Sequence, residues 1–446
     1  MKILLINPPR SPENNILKFA PDIARPFIHK KLIGPPLGLL TIAAAVKDHD
    51  VNVFDMKGEY DLDPETPSLD ILTKILLKKY QPALVGVTAI TSEFNSSNII
   101  ARTVKSFDPS ILTVVGGLHA TLCPYDFKHT SFDIVIPGHS AHIFRELVIT
   151  LEQSRPVEGV SGIFLNRQMK FMKTSGKPLI RDFIGKDYLM PDRSHLDPWI
   201  ETYKVGKSPY PSTYIYTSLG CSHRCTFCSI WGQFKGKYHQ RCISSLIDEL
   251  KSVEAYPVVR FADANSVVDP EFMSLLFDRI QEEGIKKTFI MDIRADVAAQ
   301  NPSIIEKMAK GGLKVVICGF ESFRDEELNQ YHKKSPARLN LEAIRIFDAN
   351  GIMVRGNYVV PCSYSRDDFK ALAGYAAKNP VVYAGYTILS PMPGTSYFRK
   401  VRELIIDHNF DRYNFFNALL KSYLPYEEFH HEVAKLWLIR KGTDVI

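Results

Sequence analysis

At 446 residues and 45% hydrophobic composition, the chain is too long for one ordinary core and apolar enough to build two or three, so two domains are expected. The formal charge of +6, from 55 basic and 49 acidic residues, is no electrostatic footprint for nucleic acid and permits only a modest preference for anions. The seven cysteines are an odd number, and three of them crowd between positions 221 and 228, which favours metal binding in a reducing compartment over a disulfide framework.

The opening run Met1 to Pro9 is too short for a signal peptide, and Pro35 to Val46 falls short of the roughly 20 apolar residues of a membrane span. A cytoplasmic protein with no membrane span is expected. Over residues 1–152, β-branched runs alternate with helix-like segments. Strands are predicted at Ile3 to Asn7, Val51 to Asp55, Leu84 to Ala89, Leu112 to Val115 and Asp133 to Ile136. Helices are predicted at Gly38 to Lys47, Ser68 to Tyr80, Asn95 to Phe107 and Ala141 to Glu152. Five parallel strands with crossovers give an α/β, doubly wound, flavodoxin-like sheet that binds ligands beyond the carboxyl ends of its strands.

Residues 153–210 change character. A hairpin-like pair, Gly162 to Leu165 and Met169 to Met172, precedes a stretch rich in Pro, Asp and Lys, which reads as an inter-domain linker. Over 211–400 the βα alternation returns, with strands near Tyr214 to Ser218, Val258 to Phe261, Thr288 to Asp292, Val315 to Cys318, Met353 to Val360 and Val382 to Leu389. Helices intervene at Ile243 to Glu254, Pro270 to Glu283, Pro302 to Lys310 and Leu339 to Asn350. Six such units predict a partial (β/α)6 barrel of TIM type with chemistry in its carboxyl-end loops. Residues 401–446 carry aromatics such as Phe410, Tyr413, Phe429 and Trp437 among charges, the pattern of a packed helical extension.

The sharpest signal is the C-x3-C-x2-C run Cys221-Ser222-His223-Arg224-Cys225-Thr226-Phe227-Cys228. Three thiolates at this spacing can wrap one face of a four-iron four-sulfur cube and leave one iron open to a small molecule. Zinc prefers two ligand pairs, and no second C-x2-C exists, although His223 and Cys242 lie close in sequence. An electron carrier of ferredoxin type wants a fourth thiolate nearby.

With Phe227 before the third cysteine, this run resembles the signature of the radical S-adenosylmethionine (SAM) superfamily. The resemblance implies that Cys221, Cys225 and Cys228 hold the cluster, that the open iron chelates SAM, and that Phe227 packs near its adenine. It also implies that Asp263, in Phe261-Ala262-Asp263, meets the methionyl amine, and that Arg294 meets the carboxylate. Gly319-Phe320-Glu321-Ser322 resembles a G-x-E-S stretch, in which Glu321 and Ser322 reach the ribose, and Pro391-Met392-Pro393-Gly394-Thr395 resembles a P-x-P-G-T turn that places Pro393 at the cofactor. Two departures touch the substrate side: Ala264 stands where relatives often double the acid, and Val359-Val360-Pro361-Cys362 where many carry glycine.

Residues 1–152 resemble the B12-binding domain that precedes many such barrels. The resemblance rests on Pro36 and Leu37, Thr88 and Ser92, the Gly116-Gly117-Leu118-His119 stretch and Gly138, and implies that these residues meet cobalamin. The D-x-H-x-x-G motif that supplies a lower histidine ligand is absent after the first strand, which reads Asn7-Pro8-Pro9-Arg10. Gly138-His139-Ser140-Ala141 replaces a frequent G-E-x-E.

Together these resemblances imply a cobalamin-dependent radical SAM C-methyltransferase acting on an unactivated carbon of a small molecule or natural product. Its cofactors would be a 4Fe-4S cluster, SAM and cobalamin, and its reductant a flavodoxin or ferredoxin. The alternatives are a cyclase or other non-methylating rearrangement, as in anaerobic tetrapyrrole cyclase relatives, and a cluster-bearing electron-transfer or sensor protein.

Overall fold

Strand β1 (Lys2–Asn7) reads Lys-Ile-Leu-Leu-Ile-Asn and buries every residue after its lysine, the near-continuous apolar run that a parallel strand covered on both faces requires. With β2 (Asp50–Asp55), β3 (Leu84–Thr88), β4 (Leu112–Gly116) and β5 (Ile134–Val135) it forms the parallel part of one sheet. The sheet runs in the order β2-β1-β3-β4-β5-β6-β7, where β6 is Phe164–Arg167 and β7 is Lys170–Lys173. The order reverses between β1 and β3, the switch point at which a doubly wound sheet opens its crevice.

The computed structural model describes residues 1–28, 34–167, 170–176, 188–205 and 208–441. The chain divides into two compact units, Met1–Pro12 with Ile33–Tyr203, and Glu13–Leu32 with Lys204–Ile446. No helix among the described residues is long and apolar enough to cross a membrane.

In the first unit, the stretch expected as a linker is partly sheet. Strands β6 and β7 add an antiparallel hairpin to β5, because Phe164 and Leu165 are buried at 5% and 1% exposure and cover an edge that would otherwise stand open. Trp199 and Tyr203, further along, are buried as well. Met169 and residues 177–187 of that stretch lie outside the described residues. Helix Met56–Leu62, which the periodicity does not announce, starts at Asp55, whose side chain accepts from the Lys57 amide.

The second unit holds six parallel strands in the order β15-β14-β13-β12-β11-β8: β8 (Ser212–Ile215), β11 (Val258–Phe261), β12 (Thr288–Asp292), β13 (Leu313–Glu321), β14 (Met353–Val360) and β15 (Tyr383–Ile388). A two-stranded antiparallel pair, β9 (Ser218–Gly220) and β10 (Tyr238–Gln240), follows β8. The single strand expected at Tyr214 to Ser218 is thus broken, since the Thr217 and Ser218 amides leave the ladder to donate to Asp263. One sheet face packs on helices, as the Phe261, Phe289 and Phe277 rings show. On the inner face Val258, Ile290 and Val315 form an apolar layer near the amino ends of the strands.

Helices Ala295–Gln300, Asp325–Gln330 and Arg366–Lys378 were not expected; the last opens with a Ser365/Asp368 capping box. The C-terminal part is less helical than expected. Among its described residues the α-helices are the short Ser396–Val401 turn at its start and Tyr426–Leu436. Residues from the other end of the chain pack on it: Asn15 N donates to Asn417 Oδ1 at 3.0 Å, and Asn15 Nδ2 to the Tyr426 hydroxyl at 2.8 Å.

Candidate functional site

The cysteine loop follows β9, where Gly220 adopts φ +85° and a Cβ would meet the Lys237 carbonyl at 2.1 Å. Only glycine turns the chain there. Thr226 fixes the middle of the loop through its main chain. Its amide donates to the Tyr331 carbonyl at 2.9 Å, and its carbonyl accepts from Tyr397 N at 2.9 Å and Ser396 Oγ at 3.1 Å. Three separate segments, after β9, β13 and β15, are thereby drawn together. Phe227 meets Tyr331 edge-on, with ring centroids 5.6 Å apart, and packs with Val359 and Leu389.

The thiols of Cys221, Cys225 and Cys228 face one another closely enough to interact electrostatically. Burial pushes Cys228 up to about 11 and also raises Cys225, which Lys333 and Arg294 oppose. They do not converge as ligands of one small ion. Among the described residues the group whose ligand atoms all fall within 4.8 Å is His119, Cys123 and Asp126, not this loop. Zinc at about 2.3 Å from each sulfur would need that tighter arrangement, so the donor set, three soft thiols on a wider cradle beside two cations, fits a cluster.

Around the loop the carboxyl ends of the strands carry charge. Asp263, 4% exposed, accepts from Thr217 N at 2.8 Å, Thr217 Oγ1 at 2.6 Å and Ser218 N at 2.9 Å. Burial lifts its carboxyl to about 6 against the pull of those bonds. Its oxygens therefore fix the turn that leads to Cys221. Arg294 is gripped by both Asp296 oxygens at 2.9 and 2.8 Å, and also donates to the Lys333 carbonyl at 2.7 Å. Glu321 takes a left-handed φ of 63°, a strained conformation for a side chain with a Cβ, and pairs with Lys333 Nζ at 2.9 Å. Ser322 donates to Glu327 and accepts from the Arg324 amide, at the foot of the next helix. Pro393 lies in a turn with Gly394 at φ +84°, closed by the Thr395 hydroxyl on the Met392 carbonyl at 2.7 Å.

Sequence reasoning missed Lys333, the one ammonium buried among these groups, because nothing in Tyr331-His332-Lys333-Lys334 separates it from a surface lysine. It also missed Asn265. This residue is 1% exposed beyond β11, and both its amide atoms lack a partner. A buried unpaired amide is costly unless something binds it, so Asn265 also fits a ligand-lined crevice.

In the first unit most of the expected contacts gather at the carboxyl ends of β3, β4 and β5. Ala89 N donates to the Gly116 carbonyl at 3.0 Å, and His119 N to the Ala89 carbonyl at 3.0 Å. The Gly138 amide donates to Thr121 Oγ1 at 2.9 Å. The two glycines differ. A Cβ on Gly117, at φ +95°, would strike Thr88 Oγ1 and the Ala89 carbonyl at 2.7 Å, whereas on Gly116 it would meet Ile136 O only at 3.5 Å. His119 is buried at 1% exposure, its Nδ1 3.1 Å from Thr91 Oγ1 and its Nε2 3.1 Å from Asp126. Ser92 is buried in the turn after β3. Pro36 and Leu37 open helix Leu37–Ala45, the crossover between β1 and β2, which packs on both strands and on helix Ala141–Glu152.

A second network, not foreseen, lies at the ends of β1 and β2. Asp55 accepts from Asn7 Nδ2 at 2.7 Å and from the Tyr203 hydroxyl at 2.6 Å. Glu93, 1% exposed, pairs with Lys57 and Arg10. Burial alone would raise the Glu93 carboxyl, but the two cations outweigh it and hold it low. These partners are far apart in sequence, so no local signal announced them.

Comparison with known proteins agrees with both halves of this picture. Residues 28–148 match the B12 binding domain, and residues 215–376 match the Radical SAM superfamily. An uncharacterized methyltransferase of Pyrococcus horikoshii is 26% identical, over 94% of this chain and 88% of its own length. The hopanoid C-3 methylase of Methylococcus capsulatus is 23% identical, over 90% of this chain and 75% of its own. Among solved structures, the radical SAM methyltransferase TsrM of Kitasatospora setae superposes with a TM-score of 0.71 at 16% identity, covering 90% of this chain and 76% of TsrM, a likeness of fold. The chain is a radical SAM enzyme with an N-terminal B12-binding domain, and its cofactors are an iron-sulfur cluster, SAM and cobalamin.

Proposed function

We propose that this enzyme methylates an unactivated carbon of a small molecule, using a 4Fe-4S cluster held by Cys221, Cys225 and Cys228 and a methyl group carried by cobalamin. The observation that carries the reading is the gathering of the three-cysteine loop, the Glu321–Lys333 pair and the turn around Pro393 through the main chain of Thr226. When bound, the cluster and SAM supply reductive cleavage to a 5′-deoxyadenosyl radical, and cobalamin supplies the methyl carrier. The chain's own residues do the placing. Phe227, packed on Tyr331, offers an aromatic wall for an adenine. Arg294 and Lys333 set positive charge beside Cys225, which favours its ionised, ligating form against the burial that raises it. Gly116 leaves the end of β4 without a side chain where a corrin edge would approach.

The methyltransferase relatives favour methylation over rearrangement. An electron donor of flavodoxin or ferredoxin type completes the scheme. The test is anaerobic reconstitution with iron, sulfide and hydroxocobalamin, then reduction in the presence of SAM and mass spectrometry. Both 5′-deoxyadenosine and S-adenosylhomocysteine are expected, and neither from the Cys225→Ala enzyme. Formation of 5′-deoxyadenosine alone would reject methylation, and iron retained by Cys225→Ala at the wild-type level would reject the cluster assignment.

A further inference from the structure

The inner face of the barrel sheet can be followed from its floor to the cysteine loop. Above the apolar layer of Val258, Ile290 and Val315 stands a polar one. Arg260 pairs with Asp292 at 2.8 Å and lies over the Tyr214 ring at 5.4 Å, while Arg355 lies over the Tyr383 ring at 5.1 Å. Register places these together: Arg260 is opposite Tyr214, and Ile317, Arg355 and Tyr383 are neighbours on β13, β14 and β15. Alternation puts their side chains on the same face as the floor. The Arg260 and Asp292 side chains keep 28% and 22% exposure although they face inward, so water reaches this layer.

One level higher, β13, β14 and β15 present Gly319, Asn357 and Gly385, also in register. Two of these have no side chain. Higher still come Glu321 with Lys333, and then Val359 against Phe227. From Arg355 to Val359 is four residues of strand, or about 13 Å. The result is a polar column leading down from the cysteine loop.

Charge in this column is paired except at one place. Lys333 has Glu321, Arg294 has Asp296 and Arg260 has Asp292. Arg355 has no carboxylate within ion-pair distance among the described residues, and its Nε is buried without a partner. Burial and the neighbouring Arg260 both lower its proton affinity. A half-buried guanidinium with no carboxylate beside it favours a ligand that brings the missing charge, and its planar fork matches a carboxylate or phosphate.

We infer that the substrate carries an anionic group, a carboxylate or a phosphoryl group, which Arg355 receives inside the barrel between Tyr383 and Arg260. This deepens the proposed function, because it names the substrate class for the same barrel. The test uses the anaerobically reconstituted enzyme saturated with SAM, so that the site for the cofactor's own carboxylate is filled. Acetate, inorganic phosphate and the neutral isostere acetamide are added at matched ionic strength, and Tm is read. Acetate or phosphate should raise the wild-type Tm by about 1–3 °C, and acetamide should not. Which of the two acts separates carboxylate from phosphoryl substrates. Arg355→Gln should lose the response, and Arg355→Lys should keep part of it. An equal response in Arg355→Gln, or none in the wild type, overturns the inference. The wild-type comparison of acetate with acetamide decides even if Arg355→Gln does not fold. Release of 5′-deoxyadenosine by the wild type, measured separately, shows whether the proposed function itself stands.

Discussion

Thr217 gives its hydroxyl to the buried Asp263 carboxylate at 2.6 Å, which ties the end of β11 to the turn that presents the cysteine loop. The Asp263 carboxyl nonetheless sits at about 6, above its ordinary 3.8, because burial outweighs the bonds it accepts. Between those values the native chain holds a proton that the unfolded chain has released. Stability therefore falls as pH rises from about 4 to about 6, by up to about 3 kcal/mol from this group. Urea unfolding of the metal-free protein across that window should show the fall, and Asp263→Asn should flatten it. An unchanged slope in the variant would assign the pH dependence elsewhere.

The adjacent glycines of the first unit should behave differently. Gly117→Ala forces a Cβ against Thr88 and the Ala89 carbonyl from a left-handed backbone, and should cost about 2–4 kcal/mol. Gly116→Ala meets only ordinary contacts. It should leave Tm nearly unchanged while weakening cobalamin uptake, read from the visible absorbance of the bound corrin. Normal cobalamin binding by Gly116→Ala would remove that glycine from the ligand surface.

Arg241 and Glu249 form an ion pair with both side chains at 0% exposure. Arg241 also donates to the Tyr216 carbonyl at 2.9 Å. Arg241→Met strands a buried carboxylate and should cost about 3–5 kcal/mol, whereas the double variant Arg241→Met with Glu249→Leu should recover most of that. Additive losses in the double-mutant cycle would show that the two residues are not coupled.

Tyr203 lies at the end of the stretch whose composition suggests a linker, yet its hydroxyl is 2.6 Å from Asp55. Tyr203→Phe removes a donor from a carboxyl that burial already pushes upward. A loss of about 1.5–3 kcal/mol is expected in the first unit, measured by denaturant unfolding. A variant as stable as the wild type would return Tyr203 to the linker.

The sequence reveals what is local. Parallel strands show as apolar runs, so β11, β12 and β14 fall where periodicity puts them, and Pro302–Lys310 is bounded by its own proline and glycine. The three cysteines stand out because they lie within eight residues of one another. What sequence hides is pairing across distance: Lys333 with Glu321, Glu93 with Lys57 and Arg10, and Thr226 with Tyr331 and Tyr397. Arg355 looks like any charged residue in a strand until the register sets it beside Tyr383 and two glycines above it. The break between β8 and β9 was missed for the same reason, since Asp263, the cause, is 46 residues away from Thr217.

The short stretch Glu13–Leu32 belongs with the barrel unit, although it is synthesised before all the rest of that unit. Its hydrogen bonds reach Phe416, Asn417, Tyr426 and His431 across some 400 residues. On the ribosome the native partners of Ile16 and Phe19 are made only some 400 residues later, so this strap can dock only late in synthesis. An expression clone that begins at Lys204 would lack the strap, so dissecting the barrel requires a permuted gene that returns those twenty residues to its C-terminal side.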